Sequence, residues 1–469
     1  MRATIDLSAR RRNALRATRL LLALSLAIAA TAARAGAASE NRVIFVHGGF
    51  GSAGQFESQA MRFSSNGYPT SHLAALEYDS TFGVESFDEV LAKLDVLIAE
   101  LLEETGARQV DLMGHSLGTR VSQEYLASPE RAANVGHYVN IDGGQADAPP
   151  GGVPTLAIWA GRGEPGRRIV GAVNVTLPNQ THVEAATSPA AFAAMYRFLT
   201  GHEPATLNVA PESGRIVVEG RAVLFPQNVG VEGATLELWE VRRGTGRRLR
   251  SRPHESVVLP ADGAFGPFTL GARRSYELVL RREGSARVHR FYGEPLVRSN
   301  RFLRLLTSEP GGAIDNLIEK SDRHAAMTII RYKELWGDQG VESDVLQVNG
   351  ANVINAATSP IDNRTIGLFV FDEGSDGVSE LDAPISTIFG IPFLTGVDHY
   401  VPADPEGSGT TTVALKPRGR LASGRSVSFP STASTAAAIS VRLNDYDVEP
   451  ERRALSGRRV AVPLERGAP

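Results

Sequence analysis

Between Arg42 and about Gly201, short apolar runs alternate with helical ones, and no other feature narrows the fold of this chain as much. Val43–Val46, Leu73–Tyr78, Val110–Met113, Tyr138–Ile141, Thr155–Trp159 and Val173–Leu177 read as short buried strands. Ser86–Glu104 is the clearest helix: Phe87, Val90, Leu91, Leu94, Leu97, Ile98, Leu101 and Leu102 recur at i, i+3, i+4 spacing, and Ser86 with Glu89 forms a capping box. Thr119–Leu126 and Pro189–Leu199 are further helices. Strand–helix alternation predicts a mostly parallel sheet covered by helices on both faces.

After about Pro204 the pattern changes. Arg215–Val223, Thr235–Val241, Glu255–Leu259, Tyr276–Arg281, Arg287–Tyr292, Thr328–Tyr332, Asp344–Val348, Thr365–Phe371, Thr410–Lys416 and Ala437–Leu443 are strand-like and separated by Gly, Pro and Asp turns. They predict an all-β barrel or sandwich. The expected division is residues 41–203 for the α/β domain, 204–449 for the β domain with a candidate subdivision near 295–300, and 450–469 for a flexible tail.

The amino terminus reads as an address. Arg10, Arg11, Arg12, Arg16 and Arg19 precede the apolar run Leu20–Ala30, and Ala33-Arg34-Ala35 offers a small-residue cleavage site. The run falls short of the roughly 20 residues a membrane-spanning helix needs, so a cleaved export signal over residues 1–35 is preferred to an uncleaved anchor. The expected location is secreted or periplasmic. Removing that segment takes away seven Arg and one Asp, which moves a chain of net charge −3 further to the acidic side. A balance of that sign offers no basic field for nucleic acid. The absence of cysteine excludes disulfides, thiolate metal sites and a cysteine nucleophile. An exported chain without disulfides depends on packing alone.

Chemistry concentrates in Gly114-His115-Ser116-Leu117-Gly118. This G-x-S-x-G follows an apolar strand and precedes a helix, the setting in which a sharp turn presents a serine at the carboxyl edge of a sheet. A serine hydroxyl needs an adjacent base. His182 follows the last strand and its loop, whereas His47 and His115 belong to motif backbones and His72, His137 and His202 lie elsewhere. Two carboxylates could orient the base. Asp142 ends a strand in Asn140-Ile141-Asp142-Gly143-Gly144, and Glu164 follows the next strand; Asp142 is favoured. The oxyanion needs two backbone N–H donors. Leu117 supplies one, and the loop His47-Gly48-Gly49-Phe50 the other, assigned to Gly49 with Phe50 as its neighbouring candidate.

The segment FVHGGFGSAGQFESQAMRFSSNGY (45–68), with VDLMGHSLGT (110–119), NIDGG (140–144) and NQTHVEAATSP (179–189), resembles a two-domain α/β-hydrolase family of lipases and carboxylesterases. IIRYKELWG (329–337) and LFVFDEGSDGVSELD (368–382) resemble that family's C-terminal β-barrel domain. The resemblance implies Ser116 as nucleophile, Asp142 as acid, His182 as base, Gly49 and Leu117 as oxyanion donors, and a β domain that assists lipid binding. Two departures stand out. Gly49 replaces a bulky apolar residue of the relative, and the relative's long helical lid is reduced here to the short connection Asp79–Ser86.

The leading expectation is a secreted serine carboxylic ester hydrolase of lipase or esterase type. Its substrate would be a small-molecule or lipid ester, with transient contact to lipid aggregates or a membrane surface and no obligate protein partner. An acyltransferase or peptidase on the same triad is the second class, and a catalytically inactive β-domain binding protein the third. No cofactor or metal is called for: Asp372, Glu373, Asp376, Glu380 and Asp382 cluster in a loop, but their spacing misses the EF-hand pattern.

Overall fold

The computed structural model describes residues 42–388, 391–404, 408–419 and 424–449. The expected export signal (1–35) and tail (450–469) lie outside them.

Six parallel strands form one sheet: β1 (Arg42–Val46), β2 (Leu73–Leu76), β3 (Val110–His115), β4 (Val135–Ile141), β5 (Thr155–Ala160) and β6 (Val173–Leu177), in the order β2-β1-β3-β4-β5-β6. The chain leaves β1 toward one edge and returns to its other side as β3, so the sheet has a switch point between β1 and β3, where ligands of open α/β sheets bind. Strands β3 and β5 are buried throughout. β6, read from sequence as a buried strand, is instead an edge with Val173 55% exposed. It pairs only with β5 and has one neighbour to cover it.

Helices α1 (Glu57–Ser65), α2 (Phe87–Thr105), α3 (Leu117–Leu126), α4 (Pro129–Ala132), α5 (Glu184–Thr187) and α6 (Pro189–Thr200) surround this sheet. Helix α2 forms as its spacing predicts: Val90, Leu91, Leu94, Ile98 and Leu101 are buried, the Ser86–Glu89 capping box is made, and Gly106 ends the helix at φ 66°. With Val121 and Tyr125 of α3 it covers one face of the sheet. The other face packs Phe45, Met113 and Ile158 on Phe63 of α1 and on Phe192 and Met195 of α6. This is an α/β-hydrolase fold.

The remainder is β structure built around one long sheet. Its strands are β9 (Thr235–Val241), β10 (Glu255–Val258), β12 (Ser275–Arg281), β13 (Val288–Gly293), β15 (Met327–Ile330), β18 (Gly367–Phe371), β19 (Leu394–Asp398) and β22 (Ala437–Arg442). Their order is β10-β9-β12-β13-β22-β15-β18-β19. One end packs on a sheet of β7 (Arg215–Leu224), β8 (Val229–Gly230), β11 (Ala264–Gly271) and β14 (Asn300–Thr307), through Val218, Leu236, Leu278 and Leu303. The other end packs on β16 (Val345–Val348), β17 (Ala351–Asn352), β20 (Thr410–Lys416) and β21 (Arg425–Pro430), through Ile329, Leu346, Val413 and Val441. The result is two sandwiches sharing a sheet.

The β region is docked against the α/β domain. Phe302 of β14 enters the core beside Phe45, ring centroids 5.8 Å apart. Arg304 reaches Glu77 at 2.5 Å, and Glu57 of α1 is engaged by Asn300 and Arg442. Helix α1, absent from the sequence reading, shows why such docking hides an element: Glu57, Ser58, Gln59, Arg62 and Ser64 are all buried, so the helix has no polar outer stripe to mark its period.

Candidate active site

The site lies where β1, β3, β4 and β6 end. Val46 pairs in register with Gly114, which brings the loop after β1 beside the turn after β3. Ser116 occupies that turn at φ 51°, ψ −120°, a strained backbone for a residue with a Cβ. The flanking glycines are sterically required. A Cβ at Gly118 would sit 2.2 Å from the Val46 carbonyl oxygen, and one at Gly114 would sit 2.5 Å from that of Gly118. The strain is held by an N–H bond from Ser116 to the Ile141 carbonyl at 3.0 Å and by Thr119 Oγ1–H donating to the Ser116 carbonyl at 2.7 Å.

Asp142 follows directly after β4, also left-handed at φ 44°. Gly143 must be glycine there, because a Cβ would lie 2.0 Å from Thr119 Oγ1. The Asp142 Oδ2 receives the His182 Nδ1–H at 2.6 Å. Its Oδ1 accepts from the Ala160 N–H at 2.7 Å and from Arg167 Nη2 at 2.5 Å. Burial pulls this carboxyl upward, but His182, the Ala160 N–H and Arg167 outweigh it and hold it lowered to about 2. Glu164, the alternative acid, is exposed. Its loop contributes Arg167 instead, with the guanidinium 5.0 Å over the Trp159 ring.

With Nδ1 bound to Asp142, the His182 ring has Nε2 free to face substrate. Among the described residues no hydrogen bond joins that ring to the Ser116 hydroxyl; such bonds commonly tighten when substrate binds. The Ser116 turn is nevertheless tied to the His182 loop, since His115 Nε2 bonds the His182 carbonyl at 3.0 Å and the two rings lie 4.6 Å apart. His115 is buried, and that burial, with His182 nearby, lowers it to about 3. It is therefore neutral, with its proton on the nitrogen facing the carbonyl. Its Nδ1 accepts from Gln55 Nε2 at 2.7 Å, and Gln55 Oε1 accepts the Gly48 N–H at 3.2 Å. His47, equally buried and lowered by burial, stacks on Tyr78 at 4.3 Å. His137 bonds Asp111 Oδ1 at 2.8 Å at the opposite end of the strands.

The loop after β1 separates the two oxyanion candidates. The Phe50 N–H donates to Ser80 Oγ at 2.9 Å, the Gly51 N–H to the Gly48 carbonyl at 3.1 Å and the Gly48 N–H to Gln55. The Gly49 N–H has no acceptor among the described residues. Leu117 is the first residue of α3, where an N–H has no intrahelical partner. The two lie together: a Cβ on Gly49 would be 3.9 Å from Leu117 Cδ2.

Two depressions flank the site. A polar groove beside Ser116 is formed by Thr119, Arg120, Gln123 and Gly144. An open apolar pocket runs into the β region, lined by Phe50, Phe225, Ile330, Tyr332, Phe369 and Phe393 among others. Phe393, in the wall of that pocket, lies parallel to the His182 ring at 6.3 Å. Gln55, Arg167, Phe393 and the Tyr332–Glu334 segment escaped the sequence reading. Gln55 and the YKE stretch carried a signal only as parts of the segments 45–68 and 329–337 that resemble the family. Among the described residues no three His, Asp or Glu side chains gather as a metal site.

Three family models match successive parts of the chain: Lipase (class 2) over residues 40–134, Lipase C-terminal domain over 214–310, and a further "-like, C-terminal domain" over 313–447. Together these matches support a two-domain lipase family and, with it, a carboxylic ester hydrolase. Solved structures similar to part of the chain include tomato methylketone synthase I (13% identity, 35% of this chain, 100% of that one, TM-score 0.28). A metagenome-derived lipolytic enzyme from the LipS and LipT pair matches at 15% identity over 34% of this chain and 95% of that one, TM-score 0.27. Aspergillus fumigatus lipase B matches at 14% over 36% and 54%, TM-score 0.29.

Proposed function

We propose that the chain is an exported serine esterase of lipase type that works through Ser116, His182 and Asp142. Ser116 Oγ attacks the ester carbonyl while His182 Nε2 takes its proton. Asp142 keeps the other ring proton on Nδ1 and stabilises the imidazolium without itself being protonated. The tetrahedral oxyanion rests on the N–H groups of Gly49 and Leu117. His182 then gives the proton to the departing alcohol, an acyl-enzyme forms on Ser116, and water deprotonated by His182 releases the acid. The observation that carries this reading is the 2.6 Å bond from His182 to Asp142 at the edge where a serine is held at φ 51°.

The apolar pocket fits the acyl chain and the polar groove the alcohol. Between β2 and α2 the Asp79–Ser86 connection is a turn, with the Asp79 carboxylate accepting N–H bonds from Thr81, Gly83 and Val84 at 2.7–2.9 Å. No lid helix intervenes there, which supports activity on dissolved esters without a jump at micelle formation. The arginine-led apolar segment at the amino terminus supports export.

An organophosphonate followed by intact-mass measurement tests the nucleophile. One adduct on the wild type and none on Ser116→Ala is expected, with ester turnover of the variant lowered about 10⁴-fold or more. An unlabelled wild type overturns the reading. A p-nitrophenyl ester series should show kcat/KM rising with acyl length, and amide or alcohol-acceptor reactions run beside it separate hydrolysis from peptide cleavage and acyl transfer.

A further inference from the structure

The peptide group that joins His182 to Val183 is gripped at both ends. Its carbonyl accepts from His115 Nε2 at 3.0 Å. Its N–H donates to Glu334 Oε1 at 2.6 Å, and the next N–H, that of Glu184, donates to Glu334 Oε2 at 2.8 Å. Glu334 comes from the β region, between β15 and β16, and is 0% exposed. Among the described residues no cation pairs with its carboxylate. Lys333 and Arg418 pair instead with the Glu184 side chain, each at 2.8 Å, and Arg418 lies 3.9 Å over the Trp336 ring. Burying a carboxylate whose only partners are two peptide N–H groups is costly, and a neutral side chain of that size would fill the space more cheaply. Only a carboxylate, though, presents two acceptors side by side; an amide would turn its NH₂ toward one of the donors.

We propose that Glu334 is a positioning residue for the imidazole of His182: by fixing the plane of the 182–183 peptide against His115, it sets the direction in which the side chain leaves the backbone. This rests on the reading of His182 as the base. The β region thus supplies part of the catalytic geometry as well as a pocket.

The test uses the full chain carrying Glu334→Gln, with Glu334→Asp, which keeps the charge and shortens the reach by one methylene. On p-nitrophenyl butyrate, kcat per folded molecule should fall about 10- to 100-fold with KM changed less than about twofold, since the residue lies behind the base and not in the substrate's path. The downfield proton resonance of the His182 Nδ1–H should broaden or vanish. A glutamate with a merely structural role would lower Tm while leaving both readouts in place. A folded variant whose kcat stays within about threefold of wild type overturns the proposal. Should neither variant fold, an amide-to-ester replacement at Val183, which deletes the donor to Oε1 and weakens the same peptide's carbonyl as the acceptor for His115, gives the same readouts. His182→Ala is measured alongside: retained activity there sinks the base assignment itself, a different failure from an indifferent Glu334.

Discussion

Asp142 shows how much a single side chain collects at this site. One oxygen orients the imidazole, and the other is held by a peptide N–H and a guanidinium. Its lowered folded-state value makes a sign prediction. A carboxyl held at about 2, against an ordinary 3.8, contributes stability that is fully present above the ordinary value and is lost as pH falls toward 2. That contribution is about 2 kcal/mol. The Tm advantage of wild type over Asp142→Asn should therefore be constant above pH 4 and close between pH 4 and 2 in a calorimetric series. At neutral pH the same variant should lose about 10⁴-fold in kcat by favouring the wrong tautomer. Arg167→Met removes one of the influences holding the carboxyl down, so the acid inactivation midpoint should move upward. Ser116, Asp142 and His182 were readable as candidates because Ser116 and Asp142 come directly after strands and His182 follows the last strand and its loop. Arg167, Gln55 and Glu334 were not: they meet the site across 25, 60 and 151 positions, and no local pattern encodes such contacts.

At the scale of the element, two glycines of the site make opposite predictions. Gly118→Ala drives a methyl into the β1 backbone, where nothing can yield, and should cost about 3 kcal/mol or more, seen as a lower denaturation midpoint. Gly49→Ala meets nothing nearer than a leucine methyl at 3.9 Å and should melt within a degree or so of wild type. Ser86→Ala, which breaks the capping box of α2, should cost about 1 kcal/mol. The periodic elements were legible, and α2 and the strands β9 and β20 match their sequence bounds residue for residue or nearly so. Those that escaped have a physical excuse. Helix α1 is polar yet covered on all sides, and β14 mixes three arginines or asparagines with its apolar face because it lies across the other domain.

Over the whole molecule, the α/β domain is not self-sufficient. Its loop after β1 is braced by Asn228, which donates to the Gly51 and Tyr78 carbonyls at 2.8 and 3.0 Å, and by Tyr332, whose hydroxyl meets Ser52 Oγ at 3.2 Å. A fragment of residues 42–203 would strand Glu57 without Asn300 and Arg442, take from Arg62 its bond to the Leu207 carbonyl, and uncover the core where Phe302 inserts. It should show weakened near-ultraviolet dichroism and no measurable ester turnover, whereas a fragment with wild-type activity would contradict the docking described above. The general class, a parallel α/β unit followed by β structure, followed from the alternation of runs. The sharing of one sheet between two sandwiches did not, because strand order across 200 residues leaves no mark on local periodicity.

Among the described residues β22 is the last strand of the chain, yet it lies at the centre of the long sheet, paired in parallel with β13 on one side and β15 on the other. During synthesis, then, the two sandwiches have no seam to join them until residues 437–442 emerge from the ribosome. The hydrolase half can be complete while its braces are still unassembled. A polypeptide cut short before β22 would lack the strand that ties the two sandwiches into one body.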